Sequence, residues 1–263
     1  MACRVLDPQH ENSIVYAMDT LSERWARLLP NTIVVGPADA QPRPAVILFH
    51  GCGGMRPHLP LYAAAAKTAG WRAFIVDSYA PRGWGRMFAL SMVCTGATLR
   101  GHDRGGDVLA AIQGVSARSD VDATRIAVAG WSHGGWGIME LLAAPRTQAG
   151  ELGVADAGSA SLAGLKGAWL AYPYVGFLAT ARARPWRHKP RVEVAIARQD
   201  HLTTVANAER IFADHRKQGA RIETWVADGT HSFDEPTGAM PMRHDPALTR
   251  VAVGRFEAFL RSL

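Results

Sequence analysis

The sequence is poor in lysine, in cysteine and in long apolar runs. Lysine occurs only as Lys67, Lys166, Lys189 and Lys217, so the formal charge of +6 rests almost wholly on arginine. The basic residues are scattered and form no tract, which argues against a nucleic acid or an acidic membrane as partner. Even the densest patch, Arg182, Arg184, Arg187, Lys189 and Arg191, reads as a solvated loop. Cys3, Cys52 and Cys94 are too few, and wrongly spaced, for a disulfide scaffold or a zinc site, so a reducing compartment is expected. No apolar run approaches the ~18 residues of a membrane helix, and a soluble protein is expected. The start, MACRVLDPQHENS, lacks a basic head followed by an apolar stretch. A cytoplasmic location is expected, or a periplasmic or secreted one if a leader has been removed.

What is present is alternation. At 263 residues, α/β chains are commonly one domain, and a single domain over 1–263 is expected, with 1–30 as an N-terminal extension. Short apolar runs at Thr32–Val35, Ala45–Phe49, Ala73–Asp77, Arg125–Ala129, Gly167–Ala171, Val192–Ala197 and Arg221–Ala227 read as strands buried on both faces. Between them, helices are predicted at Leu61–Ala69, Asp107–Val115, Trp136–Ala144, Thr204–Gln218 and Pro246–Leu260. This is an α/β pattern, a mainly parallel sheet flanked by helices on both faces. Ala80–Arg104 and Leu178–Pro190 break the alternation after strands and read as pocket walls.

The strand-like RIAVA runs into GWSHG, Gly130–Gly134, and then into the helix-like IMELLAA. Gly, any residue, Ser, any residue, Gly between strand and helix is the nucleophile-elbow pattern. The serine must take a strained conformation to project its hydroxyl, and the residues two before and two after approach so closely that only very small side chains fit. A serine nucleophile needs a base, and the base an orienting group. In sheets of this type the acid and the histidine follow the serine in chain order. Asp200 follows the strand VEVAIA and His231 follows RIETWVA, so Ser132, Asp200 and His231 all fall at strand ends on one edge. Asp228 and Asp234 lie too near His231 along the chain to grip its ring from behind; His201 adjoins Asp200, His215 lies on a helix face, and His244 precedes the last helix. The backbone N–H of His133 offers half of an oxyanion hole, and the turn HGCGG after AVILF offers the other half through Cys52, with Gly51 as the alternative.

The combination of HGCGG, VDSYAPRG at Val76–Gly83, GWSHGG, Asp200 and His231 resembles the dienelactone hydrolase family of α/β hydrolases, from about Pro44 to the C-terminus. The resemblance implies the α/β-hydrolase fold, a Cys or Ser nucleophile with Asp and His, and no metal or organic cofactor. The founding lactone-cleaving members carry a cysteine where this chain has Ser132 and a glutamate where Gly51 aligns, which points away from dienelactone and toward a serine esterase acting on small esters or lactones. A serine peptidase or amidase could use the same three side chains, but no propeller or large lid is evident. A catalytically silent binding protein is the reading from outside enzymes. A monomer or homodimer is expected.

Substrate contacts are less determined. Arg82, Arg86 and Arg198 are candidates to meet a substrate carboxylate, or else belong to ordinary ion pairs; Trp84, Phe88, Met87, Trp131, Trp136 and Trp186 are candidates to line an acyl pocket, or else belong to the core. Cys94 in the irregular wall and Cys52 in the oxyanion turn are expected to approach each other, and in an oxidising compartment could bond.

Overall fold

The computed structural model describes residues 4–5, 15–16 and 18–263. Cys3 and part of the N-terminal extension, residues 1–3, 6–14 and 17, lie outside the described residues. A two-residue pair, β1 (Arg4–Val5) and β2 (Val15–Tyr16), runs antiparallel. Then come α1 (Leu21–Leu28), β3 (Thr32–Val35), β4 (Arg43–Phe49), α2 (His58–Thr68), β5 (Arg72–Val76), α3 (Arg86–Phe88), which continues as a π-helical stretch over Ala89–Val93, and α4 (Gly101–Ser116). The second half holds β6 (Val121–Trp131), α5 (His133–Ala143), β7 (Leu165–Ala171), β8 (Arg191–Gln199), α6 (Val205–Lys217), β9 (Arg221–Thr230) and α7 (Pro246–Arg261).

The seven longer strands form one sheet in the order β3-β5-β4-β6-β7-β8-β9. All its pairs are parallel except that of the edge strand β3, which runs antiparallel to β5. All seven expected strands and all five expected helices are there, and α1 and α3 are additions. Alternate residues of each central strand feed opposite layers. Ile47, Phe49, Val128 and Leu170 pack under α4, α5 and α6, while Val46, Leu48, Ala129 and Trp169 pack under α2 and α7. The ends of β4, β5, β6 and β7 are level within a residue, Phe49 lying opposite Val76 and Gly130 and Trp131 opposite Ala171, whereas β8 and β9 run farther, since Ala171 lies opposite Ala195 and Gln199 opposite Thr230. Every loop leaving these carboxyl ends therefore opens on one edge.

Local chemistry sets the helix ends. The Thr20 hydroxyl accepts from the Glu23 N–H at 3.2 Å while the Glu23 carboxylate accepts from the Thr20 N–H at 2.8 Å, a capping box that starts α1. Asp245 caps α7 with Pro246 behind it, and Thr204 caps α6.

A buried ion network joins α1, α4 and the loop after β5. Asp107 is fully buried on α4 and accepts from Arg24 at 2.9 Å and from both Nη atoms of Arg82 at 2.8 and 2.9 Å. Burial alone would raise this carboxyl, but the Arg82 and Arg24 guanidiniums outweigh it and hold it at about 2. A depressed carboxyl contributes stability above the unfolded-state value of ~3.9, and the contribution is lost as pH falls toward the folded value. Stability is therefore expected to drop as pH falls from about 4 toward 2. Asp107→Asn, which leaves the buried Arg24 and the half-buried Arg82 short of their partner, should cost about 3–5 kcal/mol in urea unfolding at pH 7 and weaken the pH dependence in the acid window. A variant as stable as the wild type would show the network to be dispensable.

Candidate active site

Ser132 sits between β6 and α5 with φ 49° and ψ −109°. A Cβ on Gly130 would come within 2.5 Å of the Gly134 carbonyl carbon, and one on Gly134 within 2.2 Å of the Phe49 oxygen. Only hydrogen fits at either position, so the two glycines permit the close turn that lifts the Ser132 hydroxyl clear.

Three side chains from three strand ends meet there. Nδ1 of His231 lies 2.8 Å from Asp200 Oδ2, and Nε2 lies 2.9 Å from Ser132 Oγ. With Nδ1–H donating to the carboxylate, Nε2 is left as acceptor for the hydroxyl. The second Asp200 oxygen accepts from the Leu202 N–H at 2.8 Å. All three side chains are buried. Asp228, by contrast, is exposed and pairs with Arg198 at 3.2 Å, and His215 stacks on Trp186 at 4.5 Å. His201 turns its edge to His231 at 5.4 Å.

The turn after β4 is braced from three sides. The Ser78 N–H donates to His50 Nε2 at 3.2 Å, so the proton sits on Nδ1 and is donated to the Gly51 carbonyl at 2.7 Å. The Tyr79 hydroxyl donates to the Cys52 carbonyl at 3.2 Å, and Arg104, fully buried, donates to the His50 carbonyl at 3.1 Å. Burial, with Arg104 adding to it, holds His50 below the usual imidazole value and His133 at about 3. Both rings are thus neutral donors, His133 to the Leu99 carbonyl at 2.7 Å. The N–H of His133 is the first of α5, has no partner within the helix, and adjoins Ser132.

A cavity of about 380 Å³ opens over these atoms, bordered by Cys52, Arg86, Leu90, Trp131, Tyr172 and Met242 among others. Of the side chains considered from sequence for substrate contact, Trp131 and Arg86 reach it. Arg82 does not, because Asp107 draws its guanidinium inward, and Arg198 does not, because its ion pair with Asp228 lies out in solvent. Trp84 packs between Tyr79 and Phe88 beside the wall instead of lining the cavity. Trp136 bonds Glu140 at 3.0 Å and Trp186 covers His215, so both serve the core.

Cys52 and Cys94 form a disulfide, with their Cα atoms 5.1 Å apart. Sequence spacing argued against a disulfide scaffold. The approach expected of Cys52 and Cys94 is nonetheless found across their separation of 42 residues, because Ala89–Val93 folds back over the HGCGG turn. Sequence reasoning also missed Tyr172, which follows β7 at φ 35° and lays its ring 4.8 Å from that of His231.

A mainly parallel sheet with a strand–serine–helix turn, and with an acid and a histidine on later strand ends, defines an α/β hydrolase. The chain belongs to the dienelactone hydrolase family, whose family model matches residues 31–262, and it is a hydrolase of that type, acting on small molecules. No curated protein matches the sequence. A candidate dienelactone hydrolase from Klebsiella pneumoniae subsp. pneumoniae superimposes with TM-score 0.63 at 15% identity, over 88% of this chain and 92% of its own. Esterase 2 of Thermogutta terrifontis does so in a propionate-bound structure, with TM-score 0.64 at 16% identity over 88% of each chain. The same esterase phosphoramylated by tabun gives TM-score 0.64 at 17% identity over 88% of each chain. At these identities the likeness is one of fold. Among the described residues, no group of three or more His, Cys, Asp or Glu is placed to hold a metal, and no helix is long and apolar enough to cross a membrane.

Iodoacetamide applied to denatured, unreduced protein is expected to leave Cys52 and Cys94 unmodified and to label both after reduction. Labelling of either before reduction would refute the bond.

Proposed function

We propose that the protein is a serine hydrolase of carboxylic esters or lactones, working through an acyl-enzyme on Ser132. The observation that carries this reading is the unbroken pair of hydrogen bonds from Asp200 through His231 to Ser132. Ser132 Oγ attacks the carbonyl carbon while His231 Nε2 takes its proton, and Asp200 holds the Nδ1–H and stabilises the imidazolium. The N–H groups of Cys52 and His133 donate to the developing oxyanion, an arrangement worth several kcal/mol in a site closed to water. The imidazolium then protonates the departing alcohol oxygen, and a water repeats the cycle to release the acid. Gly51, which stands where the founding lactonases have glutamate, and a serine in place of their cysteine favour an ordinary ester over dienelactone. The tabun-modified esterase, alike in fold, makes an organophosphorus probe the natural reagent for Ser132. The Cys52–Cys94 bond supports an oxidising compartment over a reducing cytoplasm. Nothing in the reading requires a cofactor.

Ser132→Ala and His231→Ala should each lower kcat on p-nitrophenyl esters by about 10³-fold or more, and the double variant should be hardly worse, because the three groups act as one unit. Replacing His201, His215 or His244 should leave kcat within about tenfold. Near-normal turnover by His231→Ala, with one of the other three essential, would overturn the assignment of the base.

Dialysis against EDTA should leave activity intact, since an imidazole and not a metal activates the nucleophile. A loss restored by zinc or manganese would count against the serine mechanism.

A further inference from the structure

Asp234 is fully buried three residues beyond His231, and the mechanism above does not use it. Its carboxylate accepts three hydrogen bonds, all from aromatic side chains. The Tyr172 hydroxyl donates to Oδ1 at 2.5 Å; the Tyr62 hydroxyl and the Trp131 indole N–H donate to Oδ2 at 2.7 and 3.1 Å. Each donor comes from a different element. Tyr62 lies on α2, Trp131 ends β6 immediately before Ser132, and Tyr172 immediately follows β7. Trp131 and Tyr172 both border the cavity.

The backbone around this hub is strained where it matters. Ser132, Tyr172 and Ser232 are non-glycine residues with φ of 49°, 35° and 55°: the first is the nucleophile, the second carries the ring beside the imidazole, and the third directly follows the imidazole residue. Such conformations are unfavourable in themselves and persist only where surrounding contacts over-determine them. Bonds from Asp234 reach the side chain next to the first of these residues and the side chain of the second, while the third lies two residues before Asp234.

We propose that Asp234 is a positioning residue for His231, fixing Tyr172 against the imidazole and the 231–234 turn against the elbow. This rests on the reading of Ser132 and His231 as nucleophile and base. The carboxylate also adds a negative charge one side chain away from the imidazole, since the Tyr172 that it holds lays its ring 4.8 Å from that of His231. The other groups facing His231 are Ser132, Tyr172 and His201; those around Asp234 are Tyr62, Trp131, Tyr172, His58, which lies 5.5 Å from Trp131, and the Arg56–Glu235 ion pair. Burial keeps both His58 and His201 below the usual imidazole value, so neither brings a cation at neutral pH.

Asp234→Asn keeps the size of the side chain, removes the charge, and turns an NH2 donor toward two of the three donors or leaves Tyr172 facing it. Fluorophosphonate labelling of the wild type at Ser132 comes first, and an unlabelled wild type overturns both the parent reading and this one. With labelling in hand, Asp234→Asn is expected to lower kcat tenfold or more with KM within threefold. The acid limb of its kcat/KM profile should move to lower pH, because the imidazolium has lost a nearby negative charge. Tyr172→Phe, which removes one bond and keeps the ring, should give a smaller kcat loss with KM unchanged. A folded Asp234→Asn protein with wild-type kcat and an unmoved acid limb overturns the proposal, whatever its stability. If that variant does not fold, Tyr172→Phe decides: a kcat within twofold of wild type overturns it.

Discussion

The contact between the turn at Ser132 and the end of β4 governs the rest of the structure. The Gly134 Cα lies so close to the Phe49 carbonyl that α5 starts directly against the neighbouring strand end. That approach brings the first N–H of α5 beside the HGCGG turn and turns the serine hydroxyl outward at the same edge where Asp200 and His231 leave their strands. The parallel register extends the constraint across the sheet, since loops of quite different sequence leave the carboxyl ends of their strands on the same edge. The strain at Ser132 is then held by rigid elements on both sides, β6 below and α5 above.

The polar groups around this contact work mainly as braces. His50, His133, Tyr79 and Arg104 are buried, and each donates to a carbonyl of the oxyanion turn or its neighbours. A neutral imidazole suits such a post because it supplies one directed N–H without bringing charge into a low-dielectric interior. The buried charge of Asp107 is met by guanidiniums from two separate elements, so the same residues that hold the layers together keep Arg82 away from the cavity.

The sheet was legible because its strands are buried on both faces and so appear as continuous apolar runs. The antiparallel direction of β3 was not, since TIVV reads alike in either direction. Helix α1 left a signal in TLSE, the capping box, but its eight residues were passed over as an N-terminal extension. At the site, Ser132 was marked by glycines that have no other use, and Asp200 and His231 by chain order and strand ends. Tyr172 and Asp234 carried no such mark: a tyrosine at positive φ has no glycine to betray it, and a buried aspartate held by three aromatic rings depends on residues 62 to 172 positions away along the chain. For Arg82 and Arg198 the sequence leaves substrate contact and an ion pair both open, and the fold supplies the ion-pair partners, Asp107 and Asp228.

The disulfide makes part of the chain a closed ring. Between Cys52 and Cys94 lie α2, β5 and the exposed wall at Met87–Met92, a separation of 42 residues. Closing a loop of that length restricts the unfolded chain by about 4 kcal/mol on the chain-entropy view. A protease that cuts the exposed wall therefore opens a ring without dividing the molecule, and the strands that carry the nucleophile stay covalently attached to the turn that would bind its oxyanion.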